Sequence, residues 1–507
     1  MSTSEEMNTK LLDELEVLVR RLRGRELESA RDLWRFQNDI VQHRLDISKE
    51  ISKEAVAQQA VKNRAAEVVE RKEAGWKEQM RELYRERDQI KERLETYSHA
   101  AELSKQLADA LVWMLLGFDE QKIGSQSINQ PNPSIPHGLS LQGMLAVAES
   151  LASVGMGFPI INDITNCLRV GDITFIHPDG EPLPVEVKTG EPINVKEGTA
   201  TLPITWYYVG KSERYKQAME RLKEKSLRIQ EPLVEQERTA PRARRIDPRL
   251  RRQLERMAHV KALQEARHGE PIETLGSEYL PVLPVGYKLS GNQFHWDIVR
   301  ELADKAKVDG HATRAVDGAF LYSAIYIDKS KIDASGGVIK FPFEEALKEA
   351  RDKLLPLCDE KERNCISTNS TLDFLEGNVP LNVRPFFTYP LPVEQIIDLM
   401  RGRLFFLVEV NVGKVVEALE QAGLKARMPA HEVEFNELFI PVSKQVDLPD
   451  GDRLEITNHD DTLKRLAAKI PYEFLSLEGF VSCVTQMVEA LVEVGKARAA
   501  ANDTRGD

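Results

Sequence analysis

Three side chains in one short stretch have the types and spacing needed for chemistry on a phosphodiester: Asp172, Glu186 and Lys188, within Asn166–Gly190 (NCLRVGDITFIHPDGEPLPVEVKTG). Leu168, Val170, Ile173, Phe175 and Ile176 predict an apolar strand, and His177–Pro182 a turn around Asp179-Gly180. Leu183–Lys188 then predicts the returning strand. Strand side chains alternate, so Glu186 and Lys188 are expected on one face and Val185 and Val187 on the other. Asp172, at the far end of the first strand, is expected to join that polar face. Two carboxylates with a main-chain carbonyl, here that of Val187, suit Mg²⁺, with Mn²⁺ as the alternative, because such hard ions prefer oxygen ligands. The ion would lower the pKa of bound water and neutralise charge growing on phosphoryl oxygens. A lysine beside it would orient the water or stabilise the transition-state charge.

The elements that must position these groups are also legible. Leu139–Val154 predicts an amphipathic helix carrying Glu149 ahead of the hairpin. Helix, strand with Asp172, hairpin, Glu186-Val187-Lys188 and a following basic helix together resemble the PD-(D/E)XK nuclease superfamily. Gly171 stands where that family's pattern has its nominal Pro, and the fourteen residues from Asp172 to Glu186 fall within its range. The resemblance spans residues 139–228, with residue 285 as an outer limit. It implies a mixed-sheet core and an endonuclease in which Asp172 and Glu186 hold the metal. Lys188 would assist the water, and Glu149 would support a second ion or its waters. It also implies a helix after the Glu-x-Lys strand that contacts backbone phosphates. The nearer segment, Lys211–Arg228, offers Arg214, Gln217 and Arg221. The farther one offers Arg251, Gln253 and Arg256, and adjacency favours the nearer.

The net charge of −12 hides a reversal. Residues 238–268 hold ten Lys and Arg against three acids, a local +7, the footprint expected for phosphate contacts. Arg244, Arg245, Arg251, Arg252 and Arg256 are its candidate nucleic-acid-binding residues.

Around this core the chain reads as α/β, α+β overall. Residues 1–123 predict a helical coiled-coil region without proline, 124–138 a linker, 139–285 the nuclease-like core and 286–507 an α/β region with no functional reading. Leu11, Leu15, Leu18 and Leu22 mark one apolar face. Trp76, Met80, Leu83, Arg87, Ile90, Leu94, Tyr97 and Ala101 mark a seam of period 3.5. Its expected partner is either the Leu11–Leu22 helix of the same chain or the same stripe of a second copy, with a homodimer slightly favoured. In the C-terminal region GAFLYSAIYI, RLFFLVEVNV and NELFIPVSKQV predict strands, as do Phe386-Phe387-Thr388-Tyr389. Gly479–Ala501 predicts a terminal helix.

Composition narrows the classes. At 507 residues, with 42% apolar and 30% charged residues, the chain has ample core for roughly three domains. Its longest apolar stretch, Leu111–Phe118, is too short to span a bilayer, and MSTSEEMNTK lacks the form of a secretory signal. Four cysteines without a CxxC pair suit a reduced, cytoplasmic setting. No P-loop or GxGxxG occurs, which argues against an ATP-driven machine. The expectation is a Mg²⁺-dependent endonuclease acting on DNA, compatible with bacterial defence or repair. The alternatives are an RNA-cleaving nuclease and a non-enzymatic helical scaffold.

Overall fold

The computed structural model describes residues 3–24, 26–27, 29–71, 75–126, 139–153, 157–177, 180–189, 193–196, 199–201, 204–208, 257, 291–327, 348, 352, 366–377, 379, 383–426, 442–447, 453–458 and 461–503. The chain divides into two compact units, Met1–Gln264 and Glu265–Asp507.

The first unit begins with α1 (Thr3–Arg23), α2 (Ala30–Arg71), α3 (Trp76–Leu115) and α4 (Glu120–Gln126). Ser29 and Asp32 start α2 as a reciprocal cap: Asp32 N donates to Ser29 Oγ at 3.1 Å, and Ser29 N donates to Asp32 Oδ2 at 3.2 Å. Gly75, with φ of +86°, supplies the left-handed turn from which α3 departs. The seam of α3 is covered within the chain. Met80, Leu83 and Ile90 pack on Val61 of α2, with Ala57, Ala65, Val68, Trp76 and Leu94 around them. Tyr97 and Ala100 meet Ile47 of α2, with Leu11 of α1 alongside. Arg87 points outward, stacking over the Tyr84 ring and pairing with Asp88 at 2.8 Å. A helical hairpin, about 60 Å long at 1.5 Å per residue, therefore answers the question of the seam's partner. The apolar strip that favoured a homodimer is already buried, chiefly against α2 rather than the expected Leu11–Leu22 helix, which reaches it at Leu11 beside Tyr97.

Next come α5 (Leu139–Ser153) and strands β1 (Phe158–Ile161), β2 (Ile173–Ile176) and β3 (Pro182–Thr189). The ribbon β4 (Ile193–Lys196) and β5 (Thr199–Thr201) follows, then β6 (Ile204–Tyr208). The main sheet has the order β1-β2-β3-β6. Every pairing among its described strands is antiparallel, where a mixed sheet was expected. The strand expected from Leu168 is also shorter, because Leu168 and Val170 are buried in loop and pairing starts only at Ile173. Helix α5 packs on β1 and β3, and α2 packs on β1. There the Gln37 side chain donates to Pro159 O at 3.1 Å and accepts from Ile161 N at 3.0 Å. That amide satisfies the free edge of β1 and ties helices to sheet.

The second unit is built on an antiparallel sheet of order β7-β8-β10-β9. Its strands are β7 (His311–Val316), β8 (Phe320–Tyr326), β9 (Ile366–Ser370) and β10 (Leu404–Asn411). Helix Trp296–Asp309 packs on β7 and β8. Trp296, Tyr322, Tyr389 and Phe474 stack in its core, the Trp296 and Tyr389 rings 4.8 Å apart. A smaller sheet, β11 (Lys425–Ala426), β12 (Val442–Asp447) and β13 (Arg453–Asn458), precedes the helices Asp461–Glu473 and Leu477–Asp503. The expected strands β8 and β10 and the terminal helix form, and NELFIPVSKQV is described only from Val442. Phe386–Thr388 is a buried 3-10 turn rather than a strand, because Pro385 leads into a short turn that drops both rings into the aromatic core.

Among the described residues no helix is long and apolar enough to cross a membrane.

Candidate active site

The hairpin places the three expected groups together, and a bend does the placing. Gly171 has φ of +77°, and an added Cβ would lie 2.8 Å from Val185 O. Only glycine fits that approach. Asn162, in the 3-10 turn Asn162–Ile164 after β1, grips the bend from the other side. Its side-chain amide donates to Val170 O at 2.8 Å and Gly171 O at 3.1 Å, and its main-chain N–H donates to Asp172 O at 3.0 Å.

So held, Asp172 leaves the ladder. Its N–H still donates to Val185 O at 2.9 Å, but its carboxylate turns to accept the Val187 N–H, Oδ2 lying 2.6 Å away. The strand pair parts here, and residues 186–189 run on beside β6 alone. Glu186 is 1% exposed, whereas Lys188 is exposed. Lys188 Nζ donates to Glu186 Oε1 at 2.5 Å, which confirms that the two share a face. Glu186 Oε2 is buried and meets no hydrogen-bond donor among the described residues.

The electrostatics follow from crowding carboxylates in a poorly solvated place. Burial first, and then the Glu186 charge, push the Asp172 carboxyl well above its ordinary value, against the opposing pull of Val187 N–H and Lys188. Asp163 is drawn into the same field. Burial and Glu186 push it up to about 6, while Arg44 and Lys105 oppose. Lys188, Arg44 and Lys105 offset part of the negative charge of these three acids, and Glu186 keeps an oxygen without a donor. Such a set fits a divalent cation held by oxygen atoms. Among the described residues, no three His, Cys, Asp or Glu side chains converge as a ready ligand group. The fit therefore rests on Asp172, Glu186 and main-chain oxygen.

Comparison with protein-family models, curated proteins and solved structures returns no match.

Glu149 is exposed on α5, and the carboxylates acting on Asp172 are Glu186 and Asp163. Arg214, Gln217, Arg221, Arg244, Arg245, Arg251, Arg252, Gln253 and Arg256 lie outside the described residues. Within that basic segment only Met257 is described, and it is fully buried.

Sequence reasoning missed Asp163, Arg44 and Lys105. Asp163 left one trace, the Asn162-Asp163 pair directly after the apolar run FPII, where a strand-end turn belongs. Arg44 and Lys105 left none. On long charged helices they look like any solvated cation, yet Arg44 is 8% exposed and its Nη1 donates to Asp163 O at 2.8 Å.

Proposed function

We propose that the first unit is a divalent-cation-dependent phosphodiesterase acting on nucleic acid, on DNA in preference to RNA. The observation that carries this reading is the pairing of Asp172 with Glu186 where β2 parts from β3, with Lys188 on the same face and Glu186 Oε2 lacking a donor. Those features support the resemblance to PD-(D/E)XK nucleases drawn from Asp172 and Glu186-Val187-Lys188.

In this reading Asp172, Glu186 and the Val187 carbonyl hold Mg²⁺ or Mn²⁺. A bound ion of this kind supplies Lewis acidity toward the phosphoryl oxygens. The chain's own residues do the rest. Asp172 is locked to one orientation by the Val187 N–H and the Asn162-held bend. Lys188 brings its ammonium to Glu186 and from there can steady the attacking water and the charge growing on the phosphoryl group. The basic run 238–268 supplies sequence-independent attraction to the polyanion.

The test is a cleavage assay on DNA and RNA substrates with Mg²⁺, with Mn²⁺ and with chelator, using the wild type and Glu186→Gln. Metal-dependent cleavage that the variant loses supports the reading. Equal cleavage by the variant removes the site assignment.

A second reading is a non-enzymatic scaffold. The near-complete burial of Glu186 and its 2.5 Å contact with Lys188 favour it, since a neutralised pair can simply anchor the hairpin. No cleavage under any metal, with Glu186→Gln lowering thermal stability, would select it.

A further inference from the structure

Beside the carboxylates two cations of the helical hairpin stand without a direct ion pair among the described residues. Arg44 of α2 is 8% exposed and spends one N–H on Asp163 O. Lys105 of α3 is half-buried and makes no hydrogen bond or ion pair among the described residues. Arg44 likewise forms no ion pair there.

The acids nearest them, Glu102, Asp109 and Asp163, act on them through space and form no direct ion pair with either. Glu102, one turn before Lys105, accepts from Asn166 Nδ2 at 2.9 Å. Asp109, one turn after it, accepts the main-chain N–H of Asn166 at 2.7 Å and of Cys167 at 3.0 Å. These acids soften the field around the cations at longer range but contact neither. Burial lowers the pKa of both cations, and Arg44 lowers that of Lys105 further. Holding two like charges side by side in a desolvated place costs stability unless an anion joins them.

Helices α2 and α3 both pack on the turn Asn162–Ile164, whose Asn162 N–H donates to Asp172 O. Asp163 of that turn feels both cations, so Arg44 and Lys105 lie on the Asp163 side of the carboxylate cluster. A site of carboxylates alone repels a phosphodiester, and cations beside it would seat one. Guanidinium and ammonium donors match phosphate oxygens.

We propose that Arg44 and Lys105 form a phosphate subsite, through which the helical hairpin seats a backbone phosphate of nucleic acid on the Asp163 side of the Asp172–Glu186 pair. The proposal rests on the nuclease reading. It gives the long N-terminal helices a part in substrate binding, and the subsite is distinct from the basic run 238–268.

The test is equilibrium binding of a short fluorescein-labelled DNA duplex to the full chain in chelator, by anisotropy over a salt series. Wild type, Lys105→Gln and Lys105→Arg are compared, with inorganic phosphate as competitor. Lys105→Gln should weaken binding at least about tenfold, the worth of one charge-assisted contact. It should also reduce the slope of log K against log salt by about 1. Lys105→Arg should restore both, and inorganic phosphate should displace the duplex less readily from Lys105→Gln. Lys105 makes no hydrogen bond, so the glutamine variant should melt no lower than wild type. Equal affinity and slope for wild type and Lys105→Gln overturn the subsite while leaving cleavage by Asp172 and Glu186 intact. Binding that depends on Lys105 without cleavage in any metal upholds the subsite and removes the nuclease reading. Wild type that does not bind overturns both.

Discussion

The Asp172 carboxylate stands in for a missing strand partner of Val187. Where β2 stops pairing with β3, its Oδ2 takes the Val187 N–H at 2.6 Å, two residues beyond the last paired position, Val185. A side chain completing a ladder is held as firmly as backbone, so Asp172 is oriented before any ligand arrives. The same contact leaves Glu186 on the opposite side of the strand from Val185 and Val187.

This makes the bend a point of control. Gly171→Ala would force a methyl group to 2.8 Å from Val185 O at a φ of +77°. The left-handed conformation alone costs about 1–2 kcal/mol for a residue with a Cβ. The variant should unfold at lower temperature, and any metal-dependent cleavage should fall along with it. Unchanged melting by circular dichroism would show that the bend relaxes freely.

Asn162 gives a milder handle on the same loop. Asn162→Ala removes the bonds to Val170 O and Gly171 O, each worth about 1 kcal/mol net, and leaves its main-chain bond to Asp172 O in place. A loss of about 2 kcal/mol in denaturant titration is expected, with weaker metal binding by calorimetry. Metal affinity equal to that of wild type would show that Asp172 keeps its orientation without Asn162.

The hairpin seam should behave as core. Ile90 is 1% exposed between Met80, Leu83 and Val61, so Ile90→Ala should cost about 2–5 kcal/mol. Sedimentation should show no change of mass, because the seam closes within one chain. A variant that changes mass at unchanged melting temperature would move the seam to a second chain.

Asp109 carries a pH signature. Burial pushes its carboxyl up from 3.8 to about 6, despite the N–H groups of Cys167 and Asn166 that favour the ionised form. A carboxyl raised on folding stabilises the fold most fully below its unfolded value. That stability is lost as pH rises through the folded value and is absent above it. The window therefore runs from about pH 4 to 6, and its full size is about 3 kcal/mol. Asp109→Asn should gain on wild type as pH rises across this window, because the amide resembles the protonated acid. Parallel stability curves for the two proteins from pH 4 to 8 would contradict this.

What the sequence determined by itself was local. The period of Trp76–Met80–Leu83–Ile90–Leu94 encodes a helix with one apolar face, and the alternation in Val185-Glu186-Val187-Lys188 encodes a strand with a charged face. Both are repeats of the backbone's own geometry, readable without any partner. Tertiary structure decided what covers each face: α2 on the seam, Gln37 on the edge of β1, and β6 rather than β2 beside Glu186. It also decided that Asp163, Arg44 and Lys105, far apart in the chain, act on one field. Burial is what gives those charges their character. A buried charge is set by the distant residues that exclude water from it, and no spacing along the chain records them.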